Sequence, residues 1–378
     1  MTTALVLSGG GARAAYQVGV LKALGQLLPR TSHNPFPIIC GTSAGAINAL
    51  AIAGRPGPFR LRARKLEAIW RNMHAEDVYR TDVWGVLKNT LRLSLSLMRS
   101  GYGSNRSVAL LDNSPLEQLL ANYIRFRHID EAILSGELMA VCTTAMDYIS
   151  GKSVAFFQGN HESWTRSRRH GIRTGLNINH LMASSAIPLI FPARPIDTRY
   201  YGDGAMRQLK PLSPALHLGA DRIFVIGVSD NPSHSQAVTA PRHSPSVAQI
   251  IDSVESDLET LKAINKLVTT RTAGTGEVIV DTDEQTETSP LKYIEHLCIS
   301  PTTPIDDIAQ KYFHELPKSL KVFLRAIGAT KKGGGSSATS YLLFEPGFCR
   351  ELIQLGYSDA MAQKESIEDF FGLKKSKQ

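Results

Sequence analysis

A serine between small residues is the candidate for a nucleophile in this chain. Ser43 lies in the sequence Gly41-Thr42-Ser43-Ala44-Gly45, a G-x-S-x-G pattern. A nucleophile on a sharp turn between a strand and a helix needs small neighbours, because the backbone must fold back to expose the hydroxyl. The residues before the pattern are β-like and the residues after it are small. The spacing therefore predicts a nucleophilic Ser43, with Gly41 and Gly45 supporting its turn.

A run of glycines near the start of the chain could supply hydrogen-bond donors to a negatively charged oxygen. Gly9, Gly10 and Gly11 are consecutive, so successive backbone N–H groups can converge on one point, as an oxyanion hole requires. Arg13 follows in the first turn of a predicted helix, where the helix dipole disfavours a cation. That position indicates that Arg13 faces an anion or braces the loop, and a plain surface position is the alternative. We predict an oxyanion hole that involves Gly9, Gly10, Gly11 and Arg13.

An aspartate between two glycines is the candidate for the base. Asp203 stands between Gly202 and Gly204, which leave room for an unusual backbone and support a close approach to another loop. The alternative is an Asx turn, in which the carboxylate binds its own backbone. A triad would need a histidine, but the histidines after residue 203 qualify by order only: His217, His234, His243, His296 and His314. His180 precedes the aspartate, and we interpret all six as exposed or core residues.

Four sequence blocks occur in order along the chain. They are residues 9–13, residues 41–45, residues 183–188 followed by Phe191 and Pro192, and residues 203–205. Together they resemble the signature blocks of the patatin-like phospholipases, over about residues 5–228. One position departs from that pattern, because the family's first block often has glycine after the arginine and this chain has Ala14. We expect that change to alter helix packing rather than chemistry.

The resemblance implies both a mechanism and a substrate class. Members of this family hydrolyse acyl esters of phospholipids and other lipids with a Ser–Asp dyad and without a metal, on a sheet with helices on both faces. By position, Ser43 would be the nucleophile and Asp203 the base, with backbone amides around Gly10 and Gly11 in the oxyanion hole and Arg13 in support. The reaction would pass through an acyl-enzyme. Because an ordinary aspartate has a pKa of about 3.9, we expect a desolvated Asp203 with a raised pKa.

The elements that must position these residues follow from the apolar spacing. Strands over 3–7 and 38–40 each run through a turn into a helix, over 13–28 and 44–53, which is typical of a mostly parallel α/β sheet. We predict a three-layer α/β/α catalytic domain over residues 1–231. A mainly helical extension over residues 232–378 would pack on it, with a loop over 329–340 and a helical tail over 341–371. The role of this extension is left open.

Charge and composition limit the kinds of partner that the chain is expected to bind. The chain has 378 residues and a formal net charge of +8, and its first acidic residue, Glu67, comes after eight cationic ones. A positive N-terminal segment suits an anionic headgroup or lipid surface, with a solvated helix face as the alternative. The absence of a basic leader and of any long apolar run predicts a cytoplasmic protein at the membrane periphery. Cys40, Cys142, Cys298 and Cys349 are far apart and are expected to be free thiols.

Residues 83–98 form a predicted amphipathic helix with few charges. A Ser- and Gly-rich stretch follows it, so this helix could act as a lid or acyl-chain wall. The alternative is an ordinary core helix.

Two other functions compete with lipid hydrolysis. The first is a catalytically silent protein of the same fold that binds lipid or membrane surfaces. The second is dinucleotide binding, because Gly9-x-Gly11 opens a predicted helix, but no acid occurs near the expected position about 20 residues on. No metal-ligand spacing and no aromatic-basic interleaving is present, so we expect no metal, no cofactor and no nucleic acid. The head group, acyl position, chain length and oligomeric state are left open.

Overall fold

The computed structural model describes residues 1–80, 109–206, 211–229, 259, 261–263, 265–266, 292–321 and 336–373. The predicted lid helix over residues 83–98 lies outside the described residues, as does most of the segment between 230 and 291. In the described parts the chain forms one mixed sheet of ten strands with helices around it.

The first half of the sheet is parallel and follows the predicted strand–helix repeats. β1 (Thr3–Leu7) and β2 (Ile38–Thr42) pair in parallel, with Ala4 opposite Ile38. β9 (Arg222–Ile226) and β10 (Glu295–Ile299) extend the sheet beyond β1, and β3 (Ala140–Asp147) follows β2 on the other side. All five carboxyl ends therefore meet at one edge, which is where parallel sheets place their binding sites.

The second half of the sheet is built from hairpins. β4 (Ser153–Gly159) pairs antiparallel with β3, β6 (Arg169–Arg173) pairs parallel with β4, and β5 (Trp164–Arg166) pairs antiparallel with β6. β7 (Arg194–Ile196) and β8 (Arg199–Asp203) form a second hairpin that joins β3. Only part of this half was predicted, because β5, β6 and β7 are short and rich in arginine.

The helices take bounds close to those predicted where the apolar spacing is regular. They are α1 (Ala15–Leu27), α2 (Ala44–Ala53), α3 (Phe59–Trp70), α4 (Ala75–Val78), α5 (Ser114–Tyr123), α6 (Phe126–Leu134), α7 (Ile178–Ser184), α8 (Ser213–His217), α9 (Ile305–Tyr312), α10 (Ser336–Leu342), α11 (Pro346–Ala362) and α12 (Lys364–Phe370). Short 3-10 turns cover Gly11–Ala14, Gly204–Met206 and Phe313–Glu315.

Two apolar cores on opposite faces of the sheet make the fold three-layered. Leu5 and Leu7 of β1 point into the larger core with most of the helices, whereas Ala4 and Val6 point into the smaller one. This alternation is the period-2 geometry of a strand buried on both faces. The predicted α/β/α class with a mostly parallel sheet is confirmed. The four cysteines are free, and Cys298 alone among them is half-buried.

The C-terminal part of the chain is mainly helical, but it also completes the sheet. β10 pairs in parallel with β9, and α11 packs along α1. Two glycines let these helices touch: a Cβ on Gly19 would lie 2.0 Å from the Ile353 oxygen, and one on Gly356 would lie 2.1 Å from the Tyr16 oxygen. The predicted loop over residues 329–340 is wrong at residues 336–340, which form the first part of α10. The predicted helical tail is interrupted by residues 343–345.

Candidate active site

Two strands that run toward each other along one edge of β3 bring the candidate nucleophile and base together. β2 pairs with the first part of β3 and ends with Thr42 opposite Thr144. β8 arrives from the opposite direction along the same edge and ends with Asp203 opposite Ala145. The end of β2 and the end of β8 are therefore neighbours, although 160 positions separate Ser43 from Asp203 in the chain.

Ser43 occupies the sharp turn between β2 and α2. Its φ of 54° and ψ of −128° lie outside the regions that a serine ordinarily adopts, and such a backbone costs about 1–3 kcal/mol. A Cβ on Gly45 would lie 2.4 Å from the oxygens of Leu7 and Ser8, so the turn admits no larger residue there. The same close approach occurs at Gly41, where a Cβ would lie 2.5 Å from the Gly45 oxygen. The small residues around Ser43 thus permit the strained turn.

The Ser43 hydroxyl donates a hydrogen bond to the Asp203 carboxylate. The distance from Ser43 Oγ to Asp203 Oδ2 is 2.5 Å, and both residues are buried. The second carboxylate oxygen, Oδ1, accepts the N–H of Ala205 at 2.8 Å. Burial raises the pKa of Asp203 from 3.8 to about 6, while the bonds from Ser43 and Ala205 oppose that rise. A Cβ on Gly204 would lie 2.1 Å from the Thr144 oxygen, so the chain leaves β8 in close contact with β3.

A second serine, which the sequence did not single out, holds the backbone of Ser43. The N–H of Ser43 donates to Ser184 Oγ at 2.9 Å, and the Ser184 hydroxyl donates to the Thr144 oxygen at 2.6 Å. All three residues are buried. Ser184 therefore links the nucleophile's turn to β3. The only sequence signal was its place in the block 183–188, since no local spacing connects residues 184 and 43.

The glycine run passes directly over Ser43. A Cβ on Gly9 would lie 3.1 Å from the Ser43 Cβ and 3.2 Å from the Ala205 Cβ, so any side chain at this position would crowd the dyad. Gly11 has a φ of 55°, and a Cβ there would lie 2.3 Å from the Tyr341 oxygen. The N–H groups of Gly10 and Gly11 have no acceptor among the described residues. An oxyanion hole at these amides stays a prediction.

Arg13 turns away from the dyad and binds the C-terminal part of the chain. It is buried; its Nη2 lies 2.6 Å from Asp306 Oδ1 and its Nε donates to Ser340 Oγ at 2.8 Å. Its guanidinium also lies 4.9 Å from the ring centre of Tyr341. The side chain therefore faces an anion and braces the glycine run, and the plain surface position considered for it is wrong.

A chain of buried side-chain hydrogen bonds supports the glycine run. Gln17 Nε2 donates to the Ser8 oxygen at 2.8 Å, and Asn48 Nδ2 donates to Gln17 Oε1 at 2.9 Å. Trp70 Nε1 in turn donates to Asn48 Oδ1 at 2.8 Å. Because buried polar groups lose stability when a partner is removed, this chain ties the loop after β1 to α1, α2 and α3.

An apolar cleft opens beside the helix that carries the nucleophile. It is narrow and partly open to solvent, and it lies between α2, α3, α5 and Phe344. Its described lining side chains are aliphatic, aromatic or a thioether, and they include Ile47. The N–H of Ile47 donates to the Ser43 oxygen at 3.3 Å, so the cleft begins one helical turn from the nucleophile.

The family to which the chain belongs follows from comparison with known proteins. A family model described as patatin-like phospholipase matches residues 5–216. The chain belongs to the patatin-like phospholipase family. The match includes Ser43, Asp203 and the glycine run, and it ends before β9 and the C-terminal helices.

Known proteins match this chain at low sequence identity. The chain is 26% identical over 203 residues to a cGAMP-activated phospholipase of Pseudomonas aeruginosa, covering 53% of this chain and 52% of the relative. It is 26% identical over 216 residues to the calcium-independent phospholipase A2-gamma of Rattus norvegicus, covering 56% of this chain and 25% of the relative. Human GIVD cytosolic phospholipase A2 matches at 12% identity with a TM-score of 0.45, over 98% of this chain and 59% of that one. The chain thus spans about half or less of these curated relatives.

The candidate histidines in the described ranges form no hydrogen bond with the dyad. His180 accepts the Asn177 N–H, and His217 contacts the Ser213 oxygen. His296 is half-buried on β10, and His314 contacts the Lys311 oxygen. His234 and His243 lie outside the described residues. Within the described part, no histidine hydrogen-bonds Ser43 or Asp203.

Two features are absent from the described residues, a metal site and a membrane-spanning helix. No group of three or more His, Cys, Asp or Glu is placed to hold a metal ion there. None of the helices in those ranges has the length and apolar character needed to cross a bilayer.

Proposed function

We propose that this protein hydrolyses acyl esters of phospholipids or related lipids, with Ser43 as nucleophile and Asp203 as its base. The observation that carries the proposal is the 2.5 Å contact between the Ser43 hydroxyl and the buried Asp203 carboxylate. Membership of the patatin-like phospholipase family supports a lipid substrate. The phospholipase names of both relatives agree with it.

Acylation begins when Asp203 takes the Ser43 proton and Ser43 Oγ attacks the ester carbonyl carbon. The raised pKa of Asp203, about 6, makes it a stronger base than a solvated aspartate, yet leaves it mainly ionised at neutral pH. The negative oxygen of the tetrahedral intermediate accepts hydrogen bonds from the amides of the glycine run, and such a donor contributes about 3–4 kcal/mol. Collapse of the intermediate breaks the ester bond, and protonated Asp203 returns its proton to the departing alcohol.

Deacylation uses the same carboxylate a second time. Asp203 takes a proton from water, the resulting hydroxide attacks the acyl carbon, and Ser43 leaves as the alkoxide that recovers the proton. No protein group besides the dyad has to change its protonation state, because the backbone amides only donate hydrogen bonds. A mechanism that needs no histidine agrees with the other hydrogen-bond partners of the histidines in the described ranges.

The apolar cleft beside α2 suits the acyl chain of such an ester. It begins at Ile47, one turn from Ser43, and its lining is apolar. A chain whose carbonyl lies at Ser43 would bury its methylenes there, at about 0.8 kcal/mol for each. The cleft therefore favours long acyl chains over short ones.

A hydrolysis screen tests the proposal. Esters of increasing acyl length and phospholipids would be incubated with the wild type, Ser43→Ala and Asp203→Asn. We expect release of fatty acid by the wild type only, with Ser43→Ala and Asp203→Asn reduced by at least about 1,000-fold. Hydrolysis that survives in Ser43→Ala would contradict the proposal. A wild type that binds lipid and releases no fatty acid would instead favour the catalytically silent lipid-binding protein.

A further inference from the structure

Exposed apolar side chains gather at the end of the sheet where the dyad lies. Tyr148 and Ile149 follow β3, Tyr200 belongs to β8, Met206 follows Asp203, and Leu189 stands in the loop before β7. Their exposed fractions are 38%, 70%, 45%, 37% and 61% in that order. We call these five residues the apolar rim. Large apolar side chains that stay in water beside an active site mark a surface that meets another phase or partner.

Residues of the apolar rim are fixed by contacts with the rest of the fold. The Tyr148 hydroxyl packs against Gly202, where a Cβ would lie 2.3 Å from it. Leu189 keeps a φ of 68°, an unusual backbone for a branched side chain. Its carbonyl accepts the Leu110 N–H at 2.9 Å, while Ala186 in the same loop accepts the Asp203 N–H at 2.8 Å. The loop that presents Leu189 to solvent is thus fixed to the base itself.

A cluster of cations borders the apolar rim. The turn from β5 to β6 lies at this end because Ser153 is opposite Arg169, and the Ser153 N–H donates to the Arg168 oxygen at 3.1 Å. We call the following five side chains the basic border: Lys152, Arg166, Arg168, Arg169 and Arg199.

Few acids lie on the three hairpins that carry the basic border, β3–β4, β5–β6 and β7–β8. Besides Asp203 they are Asp147, which pairs with Arg199 at 2.6 Å, and Asp197. Burial and the charge of Lys152 lower the pKa of His170, so this histidine adds no charge at neutral pH. The basic border therefore keeps an excess of positive charge.

The opposite end of the sheet has a different character. Leu134 is 86% exposed there, at the end of α6, which leads into the start of β3. Its exposed charged neighbours are of both signs, Arg125 and Arg127 with Asp130 and Glu131, and Arg127 pairs with Glu131. The charges beside Leu134 thus balance, whereas the hairpins at the catalytic end carry more cations than acids.

We infer that the apolar rim and the basic border dock the protein on a bilayer that contains anionic phospholipids. This inference rests on the proposed function, because it explains how a lipid ester leaves its bilayer for Ser43. The positive border is attracted to anionic headgroups, and the apolar rim enters the headgroup region below them. Docking in this orientation brings the end of the sheet that carries Ser43 and Asp203 to the membrane.

Vesicle sedimentation tests the docking surface without relying on catalysis. Full-length Ser43→Ala protein would be mixed with phosphatidylcholine vesicles that contain or lack phosphatidylserine. The rim variant carries Ile149→Ser with Leu189→Ser, and the border variant carries Arg166→Gln with Arg168→Gln. The matched control carries Leu134→Ser with Arg127→Gln at the opposite end, where both side chains are also exposed.

We expect tight binding only to the vesicles with phosphatidylserine. Each test variant should lower that binding about tenfold, and the control should leave it unchanged. In a wild-type background, the test variants should also lower the ratio of vesicle hydrolysis to hydrolysis of a dissolved short-chain ester. Equal binding by the test and control variants would overturn the inference, as would equal binding to both kinds of vesicle. Because sedimentation uses inactive protein, a failure of the proposed hydrolysis is recorded separately.

Discussion

At the scale of single residues, the Asp203 carboxylate works as a base because the fold makes its charge unfavourable. Burial raises its pKa from 3.8 to about 6. The folded state therefore binds this proton more tightly than the unfolded chain, so the contribution of Asp203 to stability is greatest below pH 4 and is lost as pH rises through 6. At about 1.4 kcal/mol for each pKa unit, the ionised carboxylate costs the fold about 3 kcal/mol at neutral pH.

Asp203→Asn should separate stability from activity. Because the amide carries no charge, we expect the variant to gain stability relative to the wild type as pH rises from 4 to 8, by up to about 3 kcal/mol. Hydrolysis should be lost over the same range, while wild-type activity should rise with pH through about 6 as the carboxylate ionises. Urea unfolding of both proteins at several pH values measures the first effect. A constant stability difference across that range would contradict it.

Ser184 should act as a positioning residue for the nucleophile. Ser184→Ala removes the acceptor of the Ser43 N–H, so we expect kcat to fall about 10- to 100-fold with little change in KM. The control is its neighbour Ser185, whose buried hydroxyl has no hydrogen-bond partner in the described part of the chain. Ser185→Ala should keep the wild-type rate and stability. Equal rates for Ser184→Ala and the wild type would show that this bond does not position Ser43.

At the scale of elements, the sequence predicted best where one local pattern determines the structure. β1, β2 and α2 follow from apolar runs that stop at glycines, and the turn at Ser43 follows from small residues on both sides. The contact between β8 and the end of β2 could not be derived, because it depends on the register of both strands against β3. Arg13 was singled out correctly as unusual, but its partner Asp306 lies 293 positions away.

The ion pair between Arg13, which follows the glycine run, and Asp306 of α9 gives a prediction at this scale. Asp306→Asn keeps an oxygen near Arg13 but removes the charge that compensates the buried guanidinium. We expect a loss of about 1–3 kcal/mol in the free energy of unfolding and a lower kcat, since the glycine run loses its brace. Asp307 is the exposed neighbour on the same helix, and Asp307→Asn should change neither quantity. A thermal unfolding series with kinetics checks both variants.

At the scale of the whole molecule, the C-terminal part completes the structure that holds the site. β10 continues the sheet beyond β9, α11 covers α1, and Tyr16 donates to Asp359 at 2.9 Å. The predicted boundary at residue 231 would leave β9 as an edge strand and expose the apolar face of α1. The sequence offered no function for residues beyond 231, and the Arg13–Asp306 pair supplies a structural one.

A fragment of residues 1–231 should therefore fail to fold on its own. We expect it to lack a cooperative unfolding transition and to bind a dye for exposed apolar surface, because large apolar areas in water favour aggregation. Adding residues 232–378 as a separate chain should restore part of the activity if the two associate. A fragment that unfolds cooperatively and hydrolyses esters alone would instead establish the boundary at 231 as a true domain limit.

The central claim is that Asp203 activates Ser43 for attack on an acyl carbon. It is tested most directly by locating the covalent adduct after reaction with an alkyl fluorophosphonate, with peptide mass spectrometry of the wild type and Asp203→Asn. We expect one adduct on Ser43 in the wild type, formed at a rate that rises with pH through about 6, and slowed by at least about 100-fold in Asp203→Asn. An adduct on another residue, or equal labelling rates in the two proteins, would contradict the account.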